Sequence, residues 1–224
     1  MAKILSINVG LPAQVILSGK GKTRTAINKI PVKGKIFLDS DGLEGDGVAD
    51  SVRHGGWDQA ICAYSSDHFS FWEKEISKEL SPGSFGENFT FKGLTEKEVS
   101  IGDIIRVGEV ELQCSQPRQP CHKLMKVMNY PSMSKRIHDT GFSGFYLRVI
   151  KNGYVEADSE AEFINKDSSG FTIDMVNTLM YRDKNNFEKI RELIQVDSLS
   201  SGWRDLLLKR LVSNNEKIPQ SMKV

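Results

Sequence analysis

Short apolar runs broken by Gly, Pro, Asn and Asp fill most of the first 165 residues, and this pattern predicts many short β-strands. Many of the runs are β-branched or alternate between apolar and polar positions, as strands with one buried face do. Segments 107–110 and 151–154 resemble hairpin turns, the second through an Asn-Gly dipeptide. The candidate strands span residues 3–9, 25–32, 35–38, 60–64, 104–107, 110–115, 144–150 and 154–163.

Helical spacing is rarer in this part of the chain. Aromatic and aliphatic residues spaced like a helix face predict a helix over 66–78, and a second helix over 132–140 is followed by Gly141 as a stop signal. Many strands with few helices over residues 1–165 predict a mainly β fold, a closed or nearly closed antiparallel barrel.

A polar Gly/Ser stretch at 165–170 is typical of a linker, and the pattern changes beyond it. Apolar residues then recur at three- and four-residue steps, which predicts a small three-helix appendage over 170–214. Helices this short must pack on one another or on the barrel. Residues 215–224 have no clear pattern, and we expect this tail to fray. The three helices begin after the N-cap candidate Thr172, after residues 185–186 and after residues 200–201.

Composition excludes several classes of protein. The 224 residues are enough to bury a core without a disulfide scaffold, and no apolar run approaches the ~20 residues that span a bilayer. The three cysteines and the absence of a signal-peptide pattern at the start of the chain indicate a reducing, cytoplasmic location. A net charge of +1 argues against a bulk nucleic-acid or membrane binder.

This near-neutral sum hides an uneven distribution of charge. Residues 1–38 contain seven basic residues and no acid, whereas residues 39–50 contain five acids and no base. One interpretation is a pair of solvated faces that partly neutralise each other. The other is an anion site at residues 19–25, where two glycines, three cations and two hydroxyls are concentrated.

The densest polar cluster surrounds Cys121. Arg118, His122 and Lys123 flank this cysteine, and nearby cations would lower the pKa of its thiol. A thiolate serves as a nucleophile or as a soft metal ligand, although a loop cysteine without a role is the alternative. Cys62 and Cys114 lie in apolar or alternating strands, where a packing role is expected.

Other polar positions carry weaker signals. His54 precedes two glycines, which suits either close approach to a ligand or a simple tight turn. His68 and His138 lie on predicted helices, where we expect surface or boundary positions. Zinc is disfavoured because the sequence has no CxxC pair and no HExxH motif.

Six motifs in order resemble MOSC domain proteins, and most of all the bacterial YiiM type. The motifs and the three-helix appendage together cover nearly the whole chain. They are Gly-Lys-x-x-Thr-Ala-Ile at 21–27, Gly-Leu-Glu-Gly-Asp at 42–46, His-Gly-Gly-x-Asp-x-Ala at 54–60, Phe-Gly-Glu-Asn at 85–88, Ile-Gly-Asp at 101–103 and Ser-Gln-Pro-Arg-x-Pro-Cys-x-Lys-Leu at 115–124.

The resemblance implies a MOSC-type β-barrel that binds a molybdenum cofactor, Mo-molybdopterin, with Cys121 as the molybdenum ligand and catalytic residue. A soft thiolate suits this metal, and local cations would offset the anionic cofactor. The resemblance leaves the proton donor between Ser65 and Asp67. The implied contacts to the phosphate, the pterin or the cleft are Lys22, Arg24, Thr25, His54, Asn88 and Arg118.

The activity that the resemblance implies is reduction of N-hydroxylated compounds, such as hydroxylaminopurine-type bases, to amines, which would detoxify these bases. Electrons must come from a separate reductase, because the sequence has no flavin, haem or iron–sulfur motif. We hypothesise that this partner docks on the helical appendage. The substrate is a small molecule, no membrane partner is expected, and a homodimer is one oligomeric state left open.

Two other functions remain as alternatives. One is a non-catalytic carrier or sulfur-transfer module for the molybdenum cofactor, without turnover. The other is a nucleic-acid-binding barrel that uses the basic N-terminal stretch, although stable nucleic-acid binding is not expected. Such a barrel would lose affinity steeply as salt rises.

Overall fold

The computed structural model describes residues 1–16, 22–50 and 55–219. Within these residues none of the helices is long and apolar enough to cross a membrane. The described strands are β1 (Lys3–Val9), β2 (Ala13–Ile16), β3 (Lys22–Thr25), β4 (Ile30–Pro31), β5 (Ile36–Asp39), β6 (Gly42–Leu43), β7 (Ile61–Ser65), β8 (Phe89–Lys92), β9 (Ile104–Val107), β10 (Val110–Pro117), β11 (Phe145–Lys151), β12 (Gly153–Val155) and β13 (Ala161–Asn165).

Helices connect these strands and follow them. Short 3₁₀ turns occupy Trp57–Gln59 and Ser66–His68, and a π-turn at Thr178–Arg182 continues the fourth helix. The described α-helices are α1 (Phe69–Ile76), α2 (His122–Val127), α3 (Met133–Thr140), α4 (Ile173–Asn177), α5 (Phe187–Leu193) and α6 (Ser201–Ser213).

Eight strands form one large sheet in the order β13-β9-β10-β11-β7-β8-β1-β4. Strand β1 also bonds to the segment that leads into β13, because the Ile4 N–H donates to the Ser159 carbonyl (3.0 Å) and the Asp158 N–H donates to the Ile4 carbonyl (2.8 Å). The mainly β fold with helices is therefore confirmed, and the sheet curls round as the barrel prediction requires. One feature differs from the prediction, since β7 and β8 run parallel.

Along β10, in the middle of this sheet, buried and half-buried residues alternate from Val110 to Cys114. Val110, Leu112 and Cys114 on β10 are fully buried, whereas the residues between them are half-buried. This period of two places one side of the strand in the core. Strand β10 pairs with β9 through the turn at Val107 and Val110, so the first predicted hairpin is confirmed.

Two strand predictions are wrong in part, and one predicted hairpin is wrong. The span 25–32 contains the end of β3 and then β4, with irregular backbone between them, and the span 154–163 divides into β12 and β13. The predicted hairpin at 151–154 does not form, because β12 pairs with β5 instead of with β11. Strands β2, β6 and β8 and helix α2 were not predicted.

The predicted N-cap at Thr172 forms, and side chains also cap the other two helices of the C-terminal region. The side chain of Thr172 accepts a hydrogen bond from the Met175 N–H (3.2 Å), and Asn186 caps α5 in the same way. Ser200 accepts from the Trp203 N–H at the start of α6 (3.4 Å). Each cap satisfies a backbone donor that has no partner within its helix.

These helices share one hydrophobic core with the sheet. Trp203 and Leu211 belong to the same buried cluster as Leu112 and Leu147 of the sheet. Backbone hydrogen bonds join the two parts, including one from the Ser200 N–H to the Ser115 carbonyl (3.1 Å). The helical region is thus part of the molecule's main core and not a loosely attached appendage.

At the start of the predicted tail, Arg191 pairs with Glu216 and its Nε donates to the Lys217 carbonyl (2.9 Å). That residues 215–224 fray stays a prediction. Residues 220–224 lie outside the described residues.

His68 is not a surface or boundary residue. Its ring is buried and stacked on Phe142 with ring centroids 3.8 Å apart. Its Nε2 lies 2.6 Å from a carboxylate oxygen of Glu96. His138 is half-buried, as expected of a boundary residue, and it stacks on Tyr181.

Candidate functional site

A cavity of about 240 Å³ opens where the end of β10 and the starts of β11 and β7 meet the loops that precede and follow them. Several motifs that are far apart in the sequence converge here. The lining residues come from segments 25–29, 41–50, 55–62, 86–88 and 118–123, and from residue 146.

Cys121 lines this cavity and is half-buried. It is the N-cap residue of α2 with extended backbone (φ −89°, ψ 136°), and its carbonyl accepts from the Leu124 N–H (2.9 Å). Strand β10 ends at Pro117, so the intervening loop carries Arg118 to Cys121 across the cavity wall. None of the described cysteines forms a disulfide.

Arg118 is the buried cation of the site. It lines the cavity with 7% of its surface exposed, and its Nη2 donates to the Phe85 carbonyl (2.6 Å). Its Nη1 is buried and has no hydrogen-bond partner among the described residues. Burial lowers the pKa of Arg118, but interactions with neighbouring ionisable side chains, Cys62 and Tyr146 first among them, raise it overall. A charged donor with a spare N–H therefore borders the cavity, and such a group favours an anionic ligand.

Cys62 and Tyr146 face each other in the sheet, as register partners of β7 and β11, and both line the cavity. Burial raises the pKa of the Cys62 thiol, although Arg118 partly opposes this. Burial also raises the pKa of the Tyr146 phenol. Both groups therefore stay protonated at neutral pH. Cys62 is buried as predicted, but it also contributes to the cavity wall.

Asn88 lines the cavity, yet its side-chain amide is already bonded to the protein. Its Oδ1 accepts from the Cys62 N–H (3.1 Å) and its Nδ2 donates to Asp46 (2.7 Å). These bonds fasten the loop around Asp46 to the start of β7. In this structure Asn88 shapes the wall, and its predicted contact with a cofactor stays a prediction.

The loop that precedes Asn88 is shaped by hydrogen bonds to the Glu87 carboxylate and by the glycine at position 86. Glu87 is buried and accepts from the N–H groups of Gly83 (2.8 Å) and Phe85 (3.0 Å). Gly86 has φ 73°, and a Cβ there would lie 2.7 Å from the side chain of Ile27. The motif Phe-Gly-Glu-Asn thus forms a loop that only glycine fits at its second position.

Sequence reasoning missed the ion pair between Lys29 and Asp46. Both residues line the cavity, and their side chains are only 7% and 12% exposed. Asp46 also accepts from the Gly10 N–H (2.8 Å). The basic and acidic N-terminal segments therefore meet in a nearly buried pair at this point, and the charge pattern could not reveal which residues would pair.

Of the remaining residues predicted to contact the cofactor, some line the cavity and others do not. Thr25 is buried and lines the cavity, whereas Lys22 and Arg24 are exposed on the hairpin of β2 and β3 and do not line it. Lys123 lines the cavity and its Nζ donates to the Arg24 carbonyl (3.1 Å). His54 and residues 19–21 of the predicted anion site lie outside the described residues.

Neither candidate proton donor is among the residues that line the cavity. The Ser65 hydroxyl accepts from the Asp67 N–H (3.4 Å), and the Asp67 carboxylate accepts from the Gly93 N–H (2.9 Å). The protonated groups that line the cavity include the Tyr146 phenol and the Cys62 thiol.

The fold and the site together define a class of protein: a curled β-sheet with a C-terminal helical region, whose cavity holds a thiol beside a buried cation. Comparison with known families agrees with this class. The MOSC domain model matches residues 50–162, and the model of the YiiM-like 3-alpha helix domain matches residues 172–213. The chain belongs to the MOSC domain family, with the helical domain of its YiiM-like members.

Individual relatives support this assignment. A Bacillus subtilis protein named YflK is 40% identical over 207 residues, which cover 92% of this chain and 93% of that protein. The crystal structure of YiiM from Geobacillus stearothermophilus superposes with a TM-score of 0.81 at 34% identity, and covers 94% of this chain and all of that one. A Gibberella moniliformis protein named Reductase is 36% identical over 139 residues, which are 60% of this chain but 25% of that protein.

Proposed function

We propose that this protein is a molybdenum cofactor-dependent reductase that converts N-hydroxylated compounds, such as hydroxylaminopurine-type bases, to amines. The observation that carries the proposal is the placement of the Cys121 thiol in the same cavity as the buried Arg118, whose Nη1 has no described partner. MOSC domains as a family are associated with the molybdenum cofactor, and one relative is named Reductase.

The residues at the cavity fit this cofactor. Thiolate sulfur is a suitable ligand for a soft metal, so Cys121 would hold the molybdenum. Arg118 and Lys123 would bind the anionic phosphate through charge-assisted hydrogen bonds. Gly55 and Gly56 have positive φ values (86° and 78°) and let the backbone approach a ligand closely. The resemblance also implies contacts from Thr25, His54 and Asn88, and from Lys22 and Arg24, but the last two side chains are exposed and do not line the cavity.

The overall reaction is R–NHOH + 2 e⁻ + 2 H⁺ → R–NH₂ + H₂O, in which the N–O bond breaks and its oxygen leaves as water. When bound, the cofactor supplies the redox-active metal that passes the two electrons. Arg118 keeps its charge and orients the anionic part of the bound molecules. Tyr146, which burial keeps protonated, can donate a hydrogen bond to the departing oxygen.

Metal and pterin analysis of protein made in a host that synthesises the cofactor tests the proposal. We expect stoichiometric molybdenum and pterin and turnover of 6-N-hydroxylaminopurine. Cys121→Ser should lose the metal and the turnover while it keeps the melting temperature. The matched control is Cys114→Ala, since Cys114 is buried away from the cavity and its loss should leave turnover intact.

Full activity of Cys121→Ser contradicts the proposal. Bound cofactor without any turnover of the hydroxylamine supports the carrier or sulfur-transfer module instead. DNA affinity that falls steeply with salt, in protein without cofactor, supports the nucleic-acid-binding barrel.

The proposal includes an external reductase as electron donor, and we place its docking site on the C-terminal helices. Removal of residues 168–224 cannot test this, because it would uncover the core that the helices share with the sheet. Leu206 on α6 is 43% exposed and can be changed without opening that core. Leu206→Glu should slow reduction by a protein donor and leave the rate with a small chemical donor unchanged. This docking site is contradicted if Leu206→Glu and the wild-type protein are reduced by the protein donor at the same rate, or if the variant is slowed equally with both donors.

A further inference from the structure

Gln59 lines the cavity at a point where the chain leaves the glycine pair and enters β7. It ends the short turn Trp57–Gln59, and its N–H donates to the Gly56 carbonyl (2.9 Å). Its side-chain Oε1 is buried and has no hydrogen-bond partner among the described residues.

The neighbouring residue fixes the turn that carries Gln59. The Asp58 carboxylate pairs with Nε of Arg148 (2.6 Å), and the Asp58 carbonyl accepts from the Ser115 hydroxyl (2.6 Å). The backbone N–H of Ser201, at the start of α6, also lies 3.4 Å from this carboxylate. Asp58 thereby ties the turn to β10, to β11 and to the helical region, and the backbone of Gln59 is held in place before any ligand arrives.

A buried carbonyl oxygen without a donor is unfavourable, so its presence requires a reason. Four buried side-chain atoms among the described residues have no partner: Gln59 Oε1, Arg118 Nη1, Asn177 Oδ1 and Trp203 Nε1. Only the atoms of Gln59 and Arg118 belong to residues that line the cavity. One of them is an acceptor and the other a charged donor, which matches a ligand that has an N–H group and an anionic or acceptor group.

We propose that Gln59 determines ligand specificity by accepting a hydrogen bond from an N–H group of a nitrogen heterocycle in the cavity, such as an exocyclic amino group. This inference rests on the proposed function, from which the class of ligand is taken. The N–H could belong to the pterin of the cofactor or to a purine substrate, and the two sources share the same chemistry. A site built to accept a hydrogen bond discriminates against an analogue that lacks the donor.

Two pairs of probes, each differing by one amino group, distinguish the sources. Pterin and 4-oxopteridine are titrated against full-length protein made without cofactor, and adenine and purine against cofactor-loaded protein. The wild-type protein should prefer the amino compound of at least one pair about tenfold, as one hydrogen bond predicts. The pair that shows the preference identifies the source.

Gln59→Leu should remove this preference, whereas Gln59→Glu, which keeps an acceptor of the same shape, should retain it. Gln195→Leu is the matched control, because Gln195 is exposed on the helical region and should leave the preference unchanged. Gln59→Leu should also keep or raise the melting temperature, since it removes a polar atom that has no described partner. A purely structural role would lower the melting temperature instead.

The inference is overturned if Gln59→Leu leaves the preference intact, or if wild-type protein shows no preference in either pair or binds none of the probes. The pteridine titration involves no metal and no turnover. Full activity of Cys121→Ser would therefore refute the proposed function and leave the pteridine titration unaffected. Loss of the amino preference in Gln59→Leu would support the role of Gln59 in ligand specificity even if the protein turned over no hydroxylamine.

Discussion

The cavity and the core beneath the C-terminal helices contain the same kind of defect in different surroundings. Arg118 and Trp203 each bury a side-chain N–H that has no partner among the described residues. Arg118 borders a cavity, whereas Trp203 is packed among apolar side chains with only 2% of its surface exposed. A buried N–H without a hydrogen-bond partner destabilises the folded state, and in a packed core the burial of the large aromatic ring outweighs this effect. The same donor at a cavity is a group that a ligand can use.

The cysteines show the same contrast. Cys114 is fully buried in the sheet, and burial raises the pKa of its thiol. Cys121 is half-buried and lines the cavity. Identical side chains therefore divide into a packing group and a candidate ligand according to position alone. Substitutions should separate the two regions, because core changes should alter stability and cavity changes should alter binding.

The largest effect is expected for Trp203→Ala. Loss of this buried ring should lower the free energy of unfolding by about 3–5 kcal/mol. Trp203→Phe is the control, since it removes the unbonded N–H and keeps most of the packing, so it should cost much less. Urea denaturation measures both variants. If Trp203→Phe costs as much as Trp203→Ala, the N–H has a partner and the contrast with Arg118 fails.

Arg118→Met should affect binding more than stability. It removes the charged donor at the cavity, and hydrogen bonds to charged groups contribute about 1.5–3 kcal/mol, or roughly a tenfold to hundredfold loss of affinity. We expect much less bound pterin per chain after purification. Arg106→Met is the matched control, because Arg106 is an exposed cation on β9. Equal retention of pterin in both variants would mean that the anionic group of the cofactor does not bind to Arg118.

Alkaline pH should weaken the core through Cys114. Its folded pKa is raised above the ordinary value of about 9, so the unfolded state loses this proton first as pH rises. Stability is fully present below pH 9 and falls above it, by about 1.4 kcal/mol per pH unit for one such group. Cys114→Ala should reduce this slope between pH 9 and pH 10 in urea denaturation. An unchanged slope would mean that the thiol ionises equally easily in the folded protein.

Local sequence signals predicted the elements that depend on neighbours along the chain. The bounds of β1 and β9 and the cap at Thr172 follow from alternation and from capping chemistry. The partner of β12 and the ion pair of Lys29 with Asp46 were missed, because they depend on contacts between distant segments.

Site residues divide in the same way. Cys121 and Arg118 were found through motifs. Cys62, Tyr146 and Gln59 were missed as cavity residues. For Cys62 the reason is that every residue of β7 is buried, so alternation cannot show which side faces the cavity. A turn tied by Asp58 to distant strands gives no local signal either.

The smallest effect is expected for Lys22→Ala combined with Arg24→Ala. Both side chains are exposed on the hairpin and do not line the cavity, so water and salt screen their charges. Pterin retention and turnover should change by less than about threefold, and the small change should disappear at high salt. Thr25→Val, at the buried end of the same strand, should have a larger effect because Thr25 lines the cavity. A tenfold loss in the double variant would mean that the hairpin folds over a bound ligand, and the boundary of the site would then include it.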